Sequence, residues 1–357
     1  MSRVFDHDDF AGHEQILHCR DPVTGLKAII AIHNTNRGPA LGGCRMWPYA
    51  SEADALGDVL RLSRGMTYKS AMANLDLGGG KAVIIADSRT QKTEAMMRAF
   101  GRFVDTLGGR FLATTDVGST GRDMEYIRQE TKHVVGLPTS AGGSGDTSIM
   151  TGLGGYMGLK ACAREVWGSD SLNGKKIAIQ GFGKVAFQYA HHLLKEDAHL
   201  VVTDVFDDAL DRARDMGIEV VEPEQIYDVA CDIFSPCALG GSLNRNTIPR
   251  LQARVVAGGA NNQLETEDDG EELKRRGILY APDYLINSGG IINLSAEIGS
   301  AYNRDLAREK TERIYELMGR VIQVSVQEEI STARAADRIA EERLASVRSI
   351  KTLYRPR

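Results

Sequence analysis

Six short apolar runs, at residues 176–180, 200–204, 218–222, 233–236, 255–257 and 278–281, alternate with mostly helical or polar stretches. Strands joined by helical crossovers run parallel, and a parallel sheet needs cover on both faces. The second half of the chain is therefore expected to be a doubly wound α/β unit. Its first strand leads into Gly181–Phe182–Gly183–Lys184–Val185–Ala186, which fits G-x-G-x-x-[G/A], and a helical pattern follows. In that setting the first glycine permits the tight turn and the second lets a pyrophosphate reach the backbone. Ala186 still allows close helix–strand packing, and the helix N-terminus supplies amide donors.

Asp204 lies 23 residues beyond Gly181, where a carboxylate accepts hydrogen bonds from the adenosine ribose. A carboxylate there repels a 2′-phosphate, so NAD is expected over NADP. Arg212 and Arg214 nearby are the opposing signal. The plainer alternative is a glycine turn in an unrelated α/β unit.

The 357 residues exceed what one core usually serves, so two domains are expected. With 43 basic against 48 acidic residues and a net charge of −5, nothing suggests a nucleic-acid partner. The five cysteines are scattered and never spaced C-x-x-C, which argues for free thiols in a reducing cytoplasm and against a disulfide frame or metal site. The first ten residues, MSRVFDHDDF, do not resemble a signal peptide, and no apolar run approaches the roughly 20 residues that cross a bilayer.

In the first half, residues 65–86 read GMTYKSAMANLDLGGGKAVIIA, with Lys69 and Lys81 twelve positions apart and Gly78, Gly79 and Gly80 leading into the second lysine. Ser51 and Asp54 have capping spacing, and Leu56, Val59 and Leu60 give a helical apolar stripe ahead of Lys69. Residues 82–86 read as a buried strand with Lys81 at its entrance. Either the lysines rim a pocket, or they are solvated loop residues. A strand is expected at 26–32, a glycine-rich loop at 34–44, and a helix carrying Met96, Phe100, Phe103 and Leu107 on one face. A strand at 110–114 then ends beside Asp116, which reads as a site carboxylate or as a turn-former. The composition of residues 141–155, AGGSGDTSIMTGLGG, reads as a hinge or ligand-lining crossover. Residues 304–343 are charged and helical in period, with Leu306, Ile314, Leu317, Val321 and Val324 on the apolar side.

Together these segments resemble the glutamate/leucine/phenylalanine/valine dehydrogenases, most closely the short branched-chain and aromatic members. The resemblance runs nearly end to end, through GPALGGCRMWPY, RGMTYKSAMANLDLGGGKAVI, TTDVG, GGSGDTS, the nucleotide fingerprint, SPCALGG, GGANNQL and APDYLINSGGIIN. It implies reversible NAD-dependent deamination of an L-amino acid to a 2-oxo acid and ammonia, in a homo-oligomer of between two and eight copies. It further implies that Lys69 binds the substrate carboxylate, that Lys81 is the catalytic lysine and that Asp116 is its partner. Leu41, Gly42, Gly43, Asn262, Asn287, Ile291 and Leu294 would serve the substrate pocket. Phe182, Lys184, Val185, Thr151, Cys237, Ala238 and Asn262 would join Gly181, Gly183 and Asp204 around the cofactor.

The chemistry agrees with that carry-over. A carboxylate substrate needs a fixed cation, and water attacking an iminium needs a base that burial and a second lysine bring toward neutrality. Aliphatic Leu41, Ile291 and Leu294 favour leucine, valine or isoleucine, with phenylalanine or tryptophan as the alternative. Thr114–Thr115 stands where many relatives carry Ala–Glu, and Thr147 where they carry proline or serine, which bears on substrate and efficiency. Remoter alternatives are a 2-hydroxy acid oxidoreductase, which would need a histidine acid/base, and a non-catalytic NAD-binding protein. The expected plan is a substrate and oligomerisation domain at 1–135, a Rossmann-type domain at 140–330 with the cleft between them, and residues 331–357 packing back on the first.

Overall fold

The computed structural model describes residues 4–299 and 301–348. The chain divides into two compact units, crossing between them after Asp146, Asn293, Arg304 and Ile339. In the first, β1 (Gln15–Asp21), β2 (Leu26–Asn34), β3 (Ala40–Trp47), β4 (Gly78–Ile85) and β5 (Phe111–Thr115) form one sheet in the order β1-β2-β4-β3-β5. β2 runs antiparallel to both β1 and β4, while β3 runs parallel to both β4 and β5. α1 (Glu52–Met72) covers one face, where Ala55, Val59 and Leu60 meet Ile29, Ala31 and Val83. α2 (Glu94–Thr106) and α3 (Gly121–Arg128) cover the other, where Met97, Phe100 and Ile127 meet Ile30, Cys44 and Ile84.

The start of α1 follows its sequence signal. Ser51 accepts the Asp54 backbone N–H at 3.1 Å, a cap worth about 1 kcal/mol. One strand starts earlier in the glycine-rich sequence than expected, and residues 40–44 of the expected 34–44 loop belong to β3. β4 begins at Gly78, so Lys81 is its fourth residue rather than its entrance, and Leu41, Gly42 and Gly43 lie within β3. The triple glycine answers crowding. A Cβ at Gly78 would lie 2.0 Å from the Asn34 carbonyl oxygen, at Gly79 2.1 Å from the Thr67 backbone nitrogen, and at Gly80 2.8 Å from the Phe111 ring. Bare backbone here lets α1 settle directly onto β4.

In the second unit, α4 (Ser148–Trp167), β6 (Lys176–Gln180), α5 (Lys184–Leu194), β7 (His199–Thr203), α6 (Asp207–Asp215) and β8 (Glu219–Val220) come first. β9 (Ile233–Pro236), β10 (Val255–Val256), α7 (Glu267–Arg275), β11 (Leu279–Tyr280), α8 (Asp283–Ile286) and α9 (Gly289–Ser295) follow. Its sheet is wholly parallel, in the order β11-β10-β9-β6-β7-β8. The order reverses beside β6, which is where such sheets bind ligands.

The chain crosses from the first unit to the second after Asp146, within the expected 141–155 crossover, and residues 148–155 are the first turns of α4. Their glycines serve packing, since a Cβ at Gly152 would meet the Gln188 Cβ at 2.8 Å. The C-terminal helical stretch is broken into α10 (Arg304–Glu312), α11 (Ile314–Glu328) and α12 (Thr332–Arg348), with Glu329 at φ 57° ending α11. Of the 331–357 segment, Thr332 and Asp337 bond to Tyr280 and Tyr284 at 2.6 Å each, within the second unit. Arg343 donates to the Ala71 carbonyl at 2.9 Å within the first, and residues 349–357 lie outside the described residues. No helix among the described residues is long and apolar enough to cross a membrane.

Candidate active site

Lys81 is only 4% exposed and forms an ion pair with Oδ2 of Asp116, the residue after β5. The other carboxylate oxygen, Oδ1, accepts from Arg45 Nε at 3.0 Å and from the Val117 N–H at 2.8 Å. Arg45 in turn donates to Asp58 Oδ2 at 3.0 Å, and the Tyr49 hydroxyl donates to the same oxygen at 2.5 Å. Burial by itself would raise the Asp116 pKa, but the two cations outweigh it and hold the carboxyl at about 2. With both cations charged, Asp116 rests as an anion at neutral pH.

Gly43 makes this possible, because a Cβ there would lie 2.7 Å from the Asp116 Cβ and 2.8 Å from its Oδ2. Lys69 is half-buried in the last turn of α1, two residues beyond the Thr67 that rests on Gly79, at a helix end that favours cations. Leu41 is fully buried in β3, paired with Gly79 and Leu112. Leu294 belongs to the first unit, and a Cβ at Gly136 would lie 3.1 Å from its Cδ2 and 2.6 Å from Thr114 Oγ1. The Thr114 hydroxyl is buried with no partner among the described residues.

The second unit gathers the fingerprint. Gly181 has φ +91°, and a Cβ on it would be 2.7 Å from that of Ala238. Gly183 caps α5, and a Cβ there would meet nothing within 4 Å. Asp204 falls just past β7 and accepts the Phe182 N–H at 2.6 Å, the Val205 N–H at 2.7 Å and the Phe206 N–H at 3.1 Å. A carboxylate has about four acceptor sites, so one remains for a ligand hydroxyl. Of the opposing arginines, Arg212 pairs with Asp208 at 2.9 Å and Arg214 with Asp211 at 2.7 Å. Lys184 opens α5. Thr151, Val185, Cys237 and Gly259 line one crevice, in which the Gly259 N–H donates to Cys237 Sγ at 3.3 Å.

Asn287 is buried and donates to Asn261 Oδ1 at 2.8 Å, while its own Oδ1 has no partner among the described residues. Asn262 is exposed at φ 53°, its N–H donating to Asp283 Oδ2 at 2.5 Å. Ile291 is buried in α9 and belongs to this unit.

Gly42, Gly43, Leu41, Lys69, Lys81, Asp116 and Leu294 therefore fall in the first unit, and the remaining expected residues in the second. Arg45 was not anticipated. Its signal becomes readable once 40–47 is a strand, because residues 43 and 45 then share a face.

Residues 13–133 match the model described as Glu/Leu/Phe/Val dehydrogenase, dimerisation domain. Residues 142–209 and 204–351 match that of the glutamate/leucine/phenylalanine/valine dehydrogenases. A leucine dehydrogenase from Geobacillus stearothermophilus is 51% identical, over 98% of this chain and 96% of its own. A phenylalanine dehydrogenase from Caldalkalibacillus thermarum is 46% identical over the same shares. The crystal structure of L-tryptophan dehydrogenase from Nostoc punctiforme superposes with a TM-score of 0.81 at 46% identity, covering 94% of this chain and 97% of that one. Two units so built, matched along nearly their whole length, make the chain a member of the Glu/Leu/Phe/Val dehydrogenase family, a nicotinamide-dependent amino acid dehydrogenase.

Proposed function

We propose that the chain catalyses reversible, NAD-dependent oxidative deamination of an apolar L-amino acid, with branched-chain substrates preferred, to the 2-oxo acid and ammonia. The observation that carries this reading is the buried Lys81–Asp116 pair, with Arg45 fixing the carboxylate from its other side. NAD fits the second unit: backbone amides at the α5 N-terminus suit its pyrophosphate, open space stands over Gly183, and Asp204 suits an unphosphorylated ribose. The unpaired Asn287 Oδ1 is an acceptor for an amide or amine donor.

When bound, the nicotinamide supplies the hydride acceptor for the substrate Cα. Lys69 offers a point charge with three donors to the α-carboxylate. Lys81, as the free amine left once its own proton has passed to Asp116, takes the proton from the water that attacks the substrate iminium. Asp116, in contact with Lys81 Nζ, gives the proton it received to the departing amine, and the ion pair is restored. Leu41 and Leu294, both aliphatic and buried, favour an apolar side chain, as does the similarity to leucine dehydrogenases. The description of the first-unit family model supports a homo-oligomer.

The test is a spectrophotometric screen of the common amino acids with NAD and NADP at equal concentration. Turnover of leucine, valine or isoleucine with NAD is expected. A preference for NADP overturns the cofactor assignment, and a preference for phenylalanine or tryptophan overturns the branched-chain assignment.

A further inference from the structure

His33 sits at an irregularity in the sheet. β2 pairs with β4 as Ile32 to Gly80 and then Asn34 to Gly79, so His33 is an extra residue without a partner opposite the glycine run. Such bulges bend a strand and re-aim a side chain. Here the imidazole turns onto α1, with Nδ1 2.8 Å from Thr67 Oγ1 and Nε2 3.2 Å from the Ala11 carbonyl. A carbonyl only accepts, so Nε2 carries the proton, Nδ1 accepts, and the Thr67 hydroxyl donates to it. That bond is shorter than the 3.4 Å contact of the same hydroxyl with the Ser63 carbonyl. The His13 ring closes the pocket edge-on, its centroid 4.8 Å away.

Thr67 is the residue whose backbone rests on Gly79, two positions before Lys81 in β4 and two before Lys69 in α1. We propose that His33 is a positioning residue for the substrate carboxylate: its bulged ring locks Thr67 over Gly79 and so fixes the end of α1 that presents Lys69. The proposal rests on the carboxylate-binding role of Lys69 argued above. A ring that merely filled space would need only its volume. A ring that sets the last turn of α1 needs its Nδ1 acceptor.

Asparagine places an amide where Nδ1 stands, and glutamine places one where Nε2 stands, so the two variants divide the ring's bonds. In the full-length enzyme, His33→Gln is expected to raise KM for the amino acid about ten- to a hundredfold, the scale of a remote misplacement. His33→Asn is expected to restore it to within about threefold, with KM for the cofactor unmoved in both. Thr67→Val removes the donating hydroxyl without touching the buried ring. It is expected to match His33→Gln and to add nothing to it in the double variant. Equal amino-acid KM values for His33→Gln and His33→Asn overturn the proposal, as does a Thr67→Val enzyme with normal KM. Lys69→Ala, run alongside, separates the two possible failures. An unchanged KM there removes the carboxylate role of Lys69 and this proposal with it. A raised KM beside a flat His33 series removes the positioning role alone.

Discussion

The two units hold their functional groups by opposite means. In the first, charged side chains hold one another: Lys81 and Arg45 grip the two oxygens of Asp116, and Asp58, itself bonded by the Tyr49 hydroxyl, holds Arg45. In the second, backbone does the holding: three amide N–H groups fix Asp204, and a bare Gly183 opens α5. A side-chain network sets protonation as well as position, which suits proton transfer. A backbone cradle has no titrating parts, which suits recognition of a phosphate and a ribose.

The contrast breaks most visibly at Lys81. Lys81→Ala is expected to lower kcat by about a hundred- to ten-thousandfold, the usual worth of a positioned base, while NADH affinity measured by fluorescence titration stays unchanged. Near-normal turnover would leave the first unit's network without a catalytic purpose.

Next come matched glycine substitutions. Gly43→Ala drives a Cβ into Asp116, so both stability and kcat should fall, the former by about 1–3 kcal/mol in denaturant melts. Gly183→Ala meets nothing within 4 Å, so apoprotein stability should hold to within about 0.5 kcal/mol while KM for NAD rises. Equal stability losses at the two glycines would erase the distinction.

Arg45→Gln removes one of the two cations that hold Asp116 at about 2. The Asp116 carboxyl should then titrate about one pH unit higher when followed by NMR of its carboxyl carbon, since a neighbouring arginine is worth about 1–3 units to a carboxylate.

The smallest effect is a pH dependence of folding. His33 is held down to about 4, chiefly by burial and secondarily by His13. Its neutral form is the one the fold accepts, so its contribution is complete above the unfolded value near 6.5 and is lost as pH falls from there toward 4. Thermal melts should lose stability across that window, and His33→Gln should flatten the slope.

The same contrast explains what the sequence made readable. The first βαβ stretch of the second unit was legible nearly element by element, because its fingerprint, strand and acid are continuous in sequence. The Ser51 cap and the α2 face were equally local. The glycine-rich strands of the first unit were not legible in this way. Glycine-rich β3 and the head of β4 carry loop composition, and what makes them strands is the pressure of α1 and the neighbouring strands, which no local pattern records. Arg45 was missed for that reason. The helical start of α4 was hidden likewise, since its glycines answer α5 rather than its own backbone. Nor does any spacing announce that residue 33 is an extra one in its strand.

Three adjacent side-chain-free positions at the head of β4 are each pinned by a different neighbour: the end of β2, the body of α1 and the ring of Phe111. Relief at one would leave the other two clashes standing, so no single compensating change elsewhere frees the segment. Laboratory evolution of this enzyme will find the head of β4 closed to variation, and accepted changes will have to fall elsewhere in the sheet.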